Sequence, residues 1–251
     1  MMIIGAQFFT IRDFCKDTDS LSESLRKVAD IGYTTVQISG TCGYDPRWLK
    51  EQLDKNGLQC VLTHIPQERL LGETEQVCRD HDVFDCRCIG LGMYSMNGET
   101  EEKTYPAFRE KYLPVARKIR DNGHYFMYHN HARELQWFGG KTILRNMAQD
   151  FAPDEMGFTL DTYWLQKGGA DPAQYIEEFA GRVPCIHLKD HTFDAKMAVV
   201  GEGNINFDRV LAAAEAAGTK YLLVEQDDCY GEDPFDCLKR SYENLRAMGL
   251  R

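Results

Sequence analysis

The sequence predicts a closed (β/α)8 TIM barrel of the α/β class. Three observations carry this: the chain length, the number of apolar runs of strand length, and the helical spacing that follows them. A barrel of this kind needs about 250 residues, and the chain has 251, so residues 1–251 are expected to form one domain. Eight apolar runs occur, at residues 3–9, 35–38, 58–63, 86–91, 125–129, 156–161, 185–188 and 221–225. Helical periodicity follows them, as in Leu21, Leu25, Val28, Ala29 and Ile31, or in Phe207, Val210, Leu211 and Ala214. Repetition of strand and helix favours a parallel sheet with right-handed crossovers. A doubly wound open sheet shares that alternation, but no Gly-x-Gly-x-x-Gly follows the first run.

The boundaries are marked as this pattern requires. Gly32, Gly57, Gly123 and Gly218 close helical segments before the next strand, where glycine accepts the left-handed cap conformation at little steric cost. Asp45-Pro46 and Asp171-Pro172 pair an N-cap acceptor with proline at the first helical position. The loosest stretch, residues 91–104, is expected to be a surface loop after the fourth strand and a candidate lid.

Composition excludes several classes of function. The net charge is −10, with acidic residues scattered along the chain, so the surface potential opposes nucleic acid and anionic membranes as partners. No run approaches the roughly 18 apolar residues of a membrane span, and the first residues lack the character of a signal peptide; a cytoplasmic location is expected. Nine cysteines form neither a disulfide framework nor a Cys-x-x-Cys pair, and are expected to be small buried hydrophobes in a reducing compartment.

Chemistry concentrates at the ends of the last four runs, where parallel strands of a barrel deliver side chains to one face. Asp161, His187 and Glu225 stand there, and Glu134 lies just past the fifth run. Three carboxylates and an imidazole make a mostly hard donor set, suited to Mn²⁺ or Mg²⁺ and tolerant of Zn²⁺ or Co²⁺. Each has a plainer alternative: Asp161 can cap the helix that follows it, and His187 can be a hydrogen-bonded core histidine. Glu225 ends an apolar strand, where an unpaired carboxylate is costly to bury. In the fifth segment His129 and His131 fall on the same side of a strand, and either can displace Glu134 as ligand. We expect Glu134 on the metal and His131 as a substrate-side acid or base. Gln7, Gln37, His64 and His129 are candidate substrate contacts. Lys189 is a candidate catalytic residue or, with Asp190, a rim ion pair. Trp164 is expected to pack or to wall the pocket, and Gly201-Glu202-Gly203 is a weak candidate for backbone contact with substrate.

The segments Tyr128-His-Asn-His131, Leu160-Asp161-Thr-Tyr-Trp, Gly169-Ala-Asp-Pro172, His187-Leu-Lys-Asp190, Val200-Gly-Glu-Gly203 and Val224-Glu225-Gln-Asp227 closely resemble the sugar phosphate isomerase/epimerase proteins of the xylose-isomerase-like barrel superfamily, near the inosose dehydratase and isomerase branch. Gly5-Ala-Gln-Phe-Phe-Thr-Ile-Arg12-Asp also looks like the family's first strand. The resemblance implies a divalent ion held by Glu, Asp, His and Glu from strands five to eight, binding adjacent oxygens of a ketose-like substrate. Asp161, His187 and Glu225 match residue by residue. The fifth strand departs from the commoner pattern, in which the Glu lies within the strand. Family members often assemble as dimers or tetramers, which allows a homo-oligomer, although no stretch of the sequence identifies an interface.

The expected reaction is proton abstraction next to the carbonyl of a ketose, keto-sugar or sugar phosphate, giving an enediolate, with Glu225 and His131 exchanging the proton. Isomerisation and epimerisation share that first step with dehydration of an inosose or 3-keto-glycoside, which is the alternative. An abasic-site endonuclease would want a basic groove and a multi-ion centre, against the charge. A non-catalytic sugar-binding barrel would not need the Asp161, His187 and Glu225 set.

Overall fold

The computed structural model of the chain describes residues 2–96 and 98–250. Eight parallel strands close into a barrel: β1 (Ile3–Gln7), β2 (Thr35–Ile38), β3 (Gln59–His64), β4 (Cys88–Leu91), β5 (Tyr125–His129), β6 (Met156–Asp161), β7 (Cys185–Leu188) and β8 (Tyr221–Val224). Neighbours in sequence are neighbours in the sheet, and β8 pairs with β1 to close it. Two short antiparallel ribbons, Trp137–Phe138 with Lys141–Thr142 and Asp190–His191 with Met197–Ala198, lie outside the barrel sheet. Among the described residues, no helix is long and apolar enough to cross a membrane.

Local chemistry sets the boundaries. Asp45 accepts from the backbone of Arg47 and Trp48, and Asp171 from that of Ala173 and Gln174, so both Asp-Pro pairs start helices. Gly32 takes φ +119° at the end of the helix Thr18–Ile31. The first strand is shorter than its apolar run: Gln7 Oε1 accepts from Phe9 N at 2.9 Å, and Phe8–Phe14 winds into a 3-10 turn. Past β4 the described part of residues 92–104 holds one short 3-10 turn, Glu101–Lys103, as expected of a loop; position 97 lies outside the described residues. All nine cysteines are free thiols, seven buried and two half-buried.

Side chains alternate across each strand, and the alternation splits the core in two. Phe126, Tyr128, Ile186, Leu188, Leu222 and Val224 join the layer between barrel and helices. Met127, Cys185, Tyr221 and Leu223 form a second cluster with Leu62 and Cys88, the packed barrel interior. Strand β6 gives way to its neighbour here: a Cβ at Gly157 would lie 2.5 Å from Tyr125 Cε1 and 2.8 Å from Met127 Sδ. Two residues further along, the inner parity of β5, β7 and β8 arrives at His129, His187 and Glu225. The site is thus the uppermost layer of the barrel core.

The helix Thr74–Val83 is tied to β3 by His81, whose Nε2 lies 2.7 Å from Thr63 Oγ1 while Nδ1 lies 2.7 Å from the Val77 carbonyl. Burial lowers the His81 pKa to about 4 from an ordinary 6.5. Below pH 6.5 the unfolded chain therefore takes up a proton that the folded chain refuses, and stability falls as pH drops from 6.5 towards 4. We expect this residue to contribute a loss of roughly 2 kcal/mol between pH 7 and 4.5. Urea unfolding at the two pH values should show the difference shrinking by about that amount in His81→Gln; an equal difference in both proteins would refute the assignment.

Candidate functional site

Four side chains meet at the carboxyl ends of β5 to β8. One ligand atom from each of His129, Asp161, His187 and Glu225 lies within 4.8 Å of every other, and all four residues are buried. Asp161 performs both of the tasks its position allows. Its Oδ1 accepts from Trp164 N at 3.0 Å and caps the helix Thr162–Lys167, while Oδ2 lies 3.2 Å from His129 Nε2 and 3.6 Å from His187 Nδ1. Glu225 Oε2 lies 3.0 Å from His187 Nδ1.

The hydrogen bonds behind these residues fix which ring nitrogens face the centre. His129 Nδ1 is 2.9 Å from the Gly92 carbonyl, which can only accept, so Nδ1 carries a proton and Nε2 is the nitrogen turned to the centre, within hydrogen-bond distance of Asp161 Oδ2 at 3.2 Å. His187 Nε2 donates to Gln37 Oε1 at 2.7 Å, leaving Nδ1 towards Glu225 and Asp161. His187 Nδ1 and Glu225 Oε2 are both buried without an aligned hydrogen bond. Two carboxylates and two imidazole lone pairs aimed at one point repel one another unless a cation stands between them. Backbone and amide partners that fix ligand tautomers are the usual surroundings of a metal ligand. The donor set therefore fits a divalent cation. Without one, a proton takes its place: burial lowers the His187 pKa, but Glu225 and Asp161 raise it to about 8.

A second cation is built into the chain. Lys189 is 1% exposed, and its ammonium lies 3.1 Å from Asp161 Oδ2, 2.8 Å from Glu225 Oε2 and 2.8 Å from Asp227 Oδ1. Burial alone would lower the Lys189 pKa; the three carboxylates hold it well above the ordinary range. Burial would likewise raise Asp161 and Glu225, yet Lys189, with the histidines, keeps both far below the usual carboxylate range. Lys189 does not pair with Asp190 in a rim bridge. Asp190 instead accepts from the backbone of His191, Gly201, Gly203 and Ile205, which uses up the amides of the Gly-Glu-Gly segment.

Glu134 does not join the four. Its Oε1 accepts from Tyr128 at 2.8 Å and its Oε2 from the His131 backbone at 2.7 Å, closing the first turn of the 3-10 segment Ala132–Leu135. Burial raises its pKa to about 7 against these two bonds. The place expected for Glu134 is filled geometrically by His129. His131 lies between His129 and Trp164, edge-on to the first and tilted to the second, with ring centroids at 4.8 and 4.9 Å. Its Nδ1 is buried without a partner, and burial, then His129, lowers its pKa to about 3.

A cavity of about 380 Å³ opens over the centre, lined among others by His64, His129, His131, Lys189, Glu225 and Asp227. His64 Nδ1 is 3.1 Å from Ser39 Oγ and its Nε2 is buried and free; a Cβ at Gly92 would stand 2.7 Å from that Nδ1, so only glycine leaves the ring its place. Gln7 and Gln37, expected as substrate contacts, spend amide groups on the cluster: Gln7 Nε2 donates to Glu225 Oε1 at 3.1 Å, and Gln37 holds His187. Three further residues serve the site without having been expected there: Asp227, Gly92 and Asn130, whose Oδ1 accepts from Asp161 N at 3.0 Å. Of these, Asp227 was within reach, since it shares the inner parity of Glu225.

Residues 25–248 match the family model described as xylose isomerase-like TIM barrel. No curated protein matches the chain. Among solved structures, a sugar phosphate isomerase/epimerase from Parabacteroides distasonis ATCC 8503 superposes with a TM-score of 0.81 at 20% identity, covering 98% of this chain and 94% of that one. A structure named L-ribulose 3-epimerase gives 0.76 at 16% identity, with 100% and 95% covered. A probable 3-DHS dehydratase from Bacillus anthracis gives 0.73 at 12% identity, with both chains covered in full. At these identities the likeness is one of fold.

Proposed function

The chain belongs to the xylose isomerase-like TIM barrel family, and from that premise we propose that it is a divalent-ion-dependent sugar isomerase or epimerase that forms an enediolate by removing a proton next to a carbonyl. The observation that carries this reading is the convergence of two carboxylates and two imidazole lone pairs with their tautomers fixed from behind. His129, Asp161, His187 and Glu225 would hold the ion, and the second imidazole in place of the expected third carboxylate shifts the preference away from Mg²⁺ towards Mn²⁺, Co²⁺ or Zn²⁺. When bound, it supplies the positive charge that polarises a carbonyl and its neighbouring hydroxyl.

The remaining work falls to the chain's own side chains. Glu225 and His131 are the groups that exchange the proton: one removes it, and the other returns it to the same carbon or the next. Burial keeps the His131 imidazole neutral at working pH, and its unpartnered Nδ1 can take a proton. Lys189 keeps Glu225 ionised, and so free to accept a proton, while lowering its basicity. His64 Nε2, unpaired on a residue that lines the cavity, is placed to bond a substrate hydroxyl. The Trp164 and His129 rings fix the His131 orientation from two sides.

The test is direct. Purified protein should bind one divalent ion per chain, and a protein that binds none would end this reading. His131→Ala should keep the ion and lose at least about a hundredfold in turnover; loss of the ion instead would make His131 a ligand. Turnover in D₂O separates the outcomes that share the first step. Product of unchanged composition that carries solvent deuterium marks isomerisation or epimerisation, and product lacking one water marks dehydration.

A further inference from the structure

The cavity over the centre has two unlike halves. Its floor is the polar cluster on β5 to β8. The opposite side, from β1 to β4 and the turns after them, carries the apolar Phe9, Ile65, Pro66, Leu91 and Met93, with Ser39, His64, Gln67 and Glu68 between them. Met93 is 48% exposed at the mouth. An apolar wall facing a polar floor suits a ligand with one polar and one apolar end.

Charge argues in the same direction. Lys189 is the only cation among the described residues lining the cavity, and Asp161, Glu225 and Asp227 already surround it. Three carboxylates against one ammonium leave two negative charges, which a divalent ion would cancel. Nothing positive is then left over for a phosphate. Glu68 adds another carboxylate at the rim. The glycine amides that might cradle an anion, those of Gly201 and Gly203, are bonded to Asp190. A phosphate ester in this cavity would lose hydration and meet an ammonium already shared among three carboxylates.

We propose that the substrate is an uncharged sugar bearing an apolar substituent, with its hydroxyl and carbonyl oxygens on the polar floor and the substituent against Phe9, Ile65, Pro66, Leu91 and Met93. This rests on the metal-dependent reading above and narrows it from sugars and sugar phosphates to neutral, apolar-substituted ones. Calorimetry on the Mn²⁺-loaded protein tests it with three probes: methyl 3-keto-β-D-glucopyranoside, its phenyl analogue, and its 6-phosphate. The phenyl compound should bind at least about tenfold more tightly than the methyl compound, the effect of burying a ring of this size. The phosphate should bind at least about tenfold more weakly than its neutral parent. Met93→Asp, at an exposed position that the fold tolerates, should bring the phenyl-to-methyl ratio close to one. Equal binding of the phenyl and methyl compounds, a phosphate that binds as well as its parent, an unchanged ratio in Met93→Asp, or no binding of any probe to the ion-loaded protein would each overturn the proposal. Failure of the metal reading shows separately and earlier, as absence of Mn²⁺ binding before any sugar is added.

Discussion

Glu225→Gln should lose turnover by a factor of about a thousand or more while its circular dichroism stays that of the wild type. The amide copies the shape of the carboxylate, so Gln7 keeps a neighbour to bond, but both proposed functions of the charge, base and ion ligand, disappear. A neutral amide is no base at working pH, which alone removes roughly 10²–10⁴ of rate. It is also a poorer donor to a divalent cation, so ion affinity should fall alongside. Lys189 retains Asp161 and Asp227, and for that reason the folded state survives the change. Steady-state rates, ion titration and a thermal melt on one preparation separate these effects. Near-normal turnover would remove Glu225 from both roles.

Lys189→Met should reveal how much the ion-free site depends on its built-in cation. The ammonium contacts the same two oxygens, Asp161 Oδ2 and Glu225 Oε2, that face the histidine lone pairs. Removing it leaves buried carboxylates with no fixed counter-charge, a loss of roughly 3–5 kcal/mol, or a melting temperature lower by about 10 °C for a chain of this size. Divalent ion should restore most of that loss, and the variant should bind the ion more tightly than the wild type, because a competing charge has gone. Melts in chelator and in excess Mn²⁺ measure both. The same melting temperature for wild type and variant in chelator would show that the ammonium does not hold the cluster.

These expectations depend on how far the sequence can be read. The eight strands were legible because apolar runs of strand length report burial directly, and their ends at Asp161, His187 and Glu225 located one face of the barrel without reference to any loop. Period two also carried the information that Asp227 shares a side with Glu225 and that His129 lies two residues past Met127 on the inner face. The fifth segment was harder. His131 and Glu134 have the spacing of a capping pair, N-cap and third helical residue, and the structure uses Glu134 that way, with Tyr128 on its other oxygen. Proximity of a carboxylate to a strand end thus gave no sign that both its oxygens were already engaged. Tautomers were beyond sequence altogether, since the Gly92 carbonyl and the Gln37 amide that fix them come from segments remote in the chain.

The Gly92 carbonyl has one more consequence. It orients His129 from the root of the segment that runs from β4 towards Met93 and the mouth of the cavity. An ion held by His129 needs that imidazole with its Nε2 forward, and on the reading proposed above a sugar at the mouth would meet Met93, the next residue of the same backbone. On that reading, occupancy at the mouth and occupancy at the floor would be linked through a single hydrogen bond. By reciprocity, whatever factor the ion contributes to sugar affinity, the sugar returns to the ion.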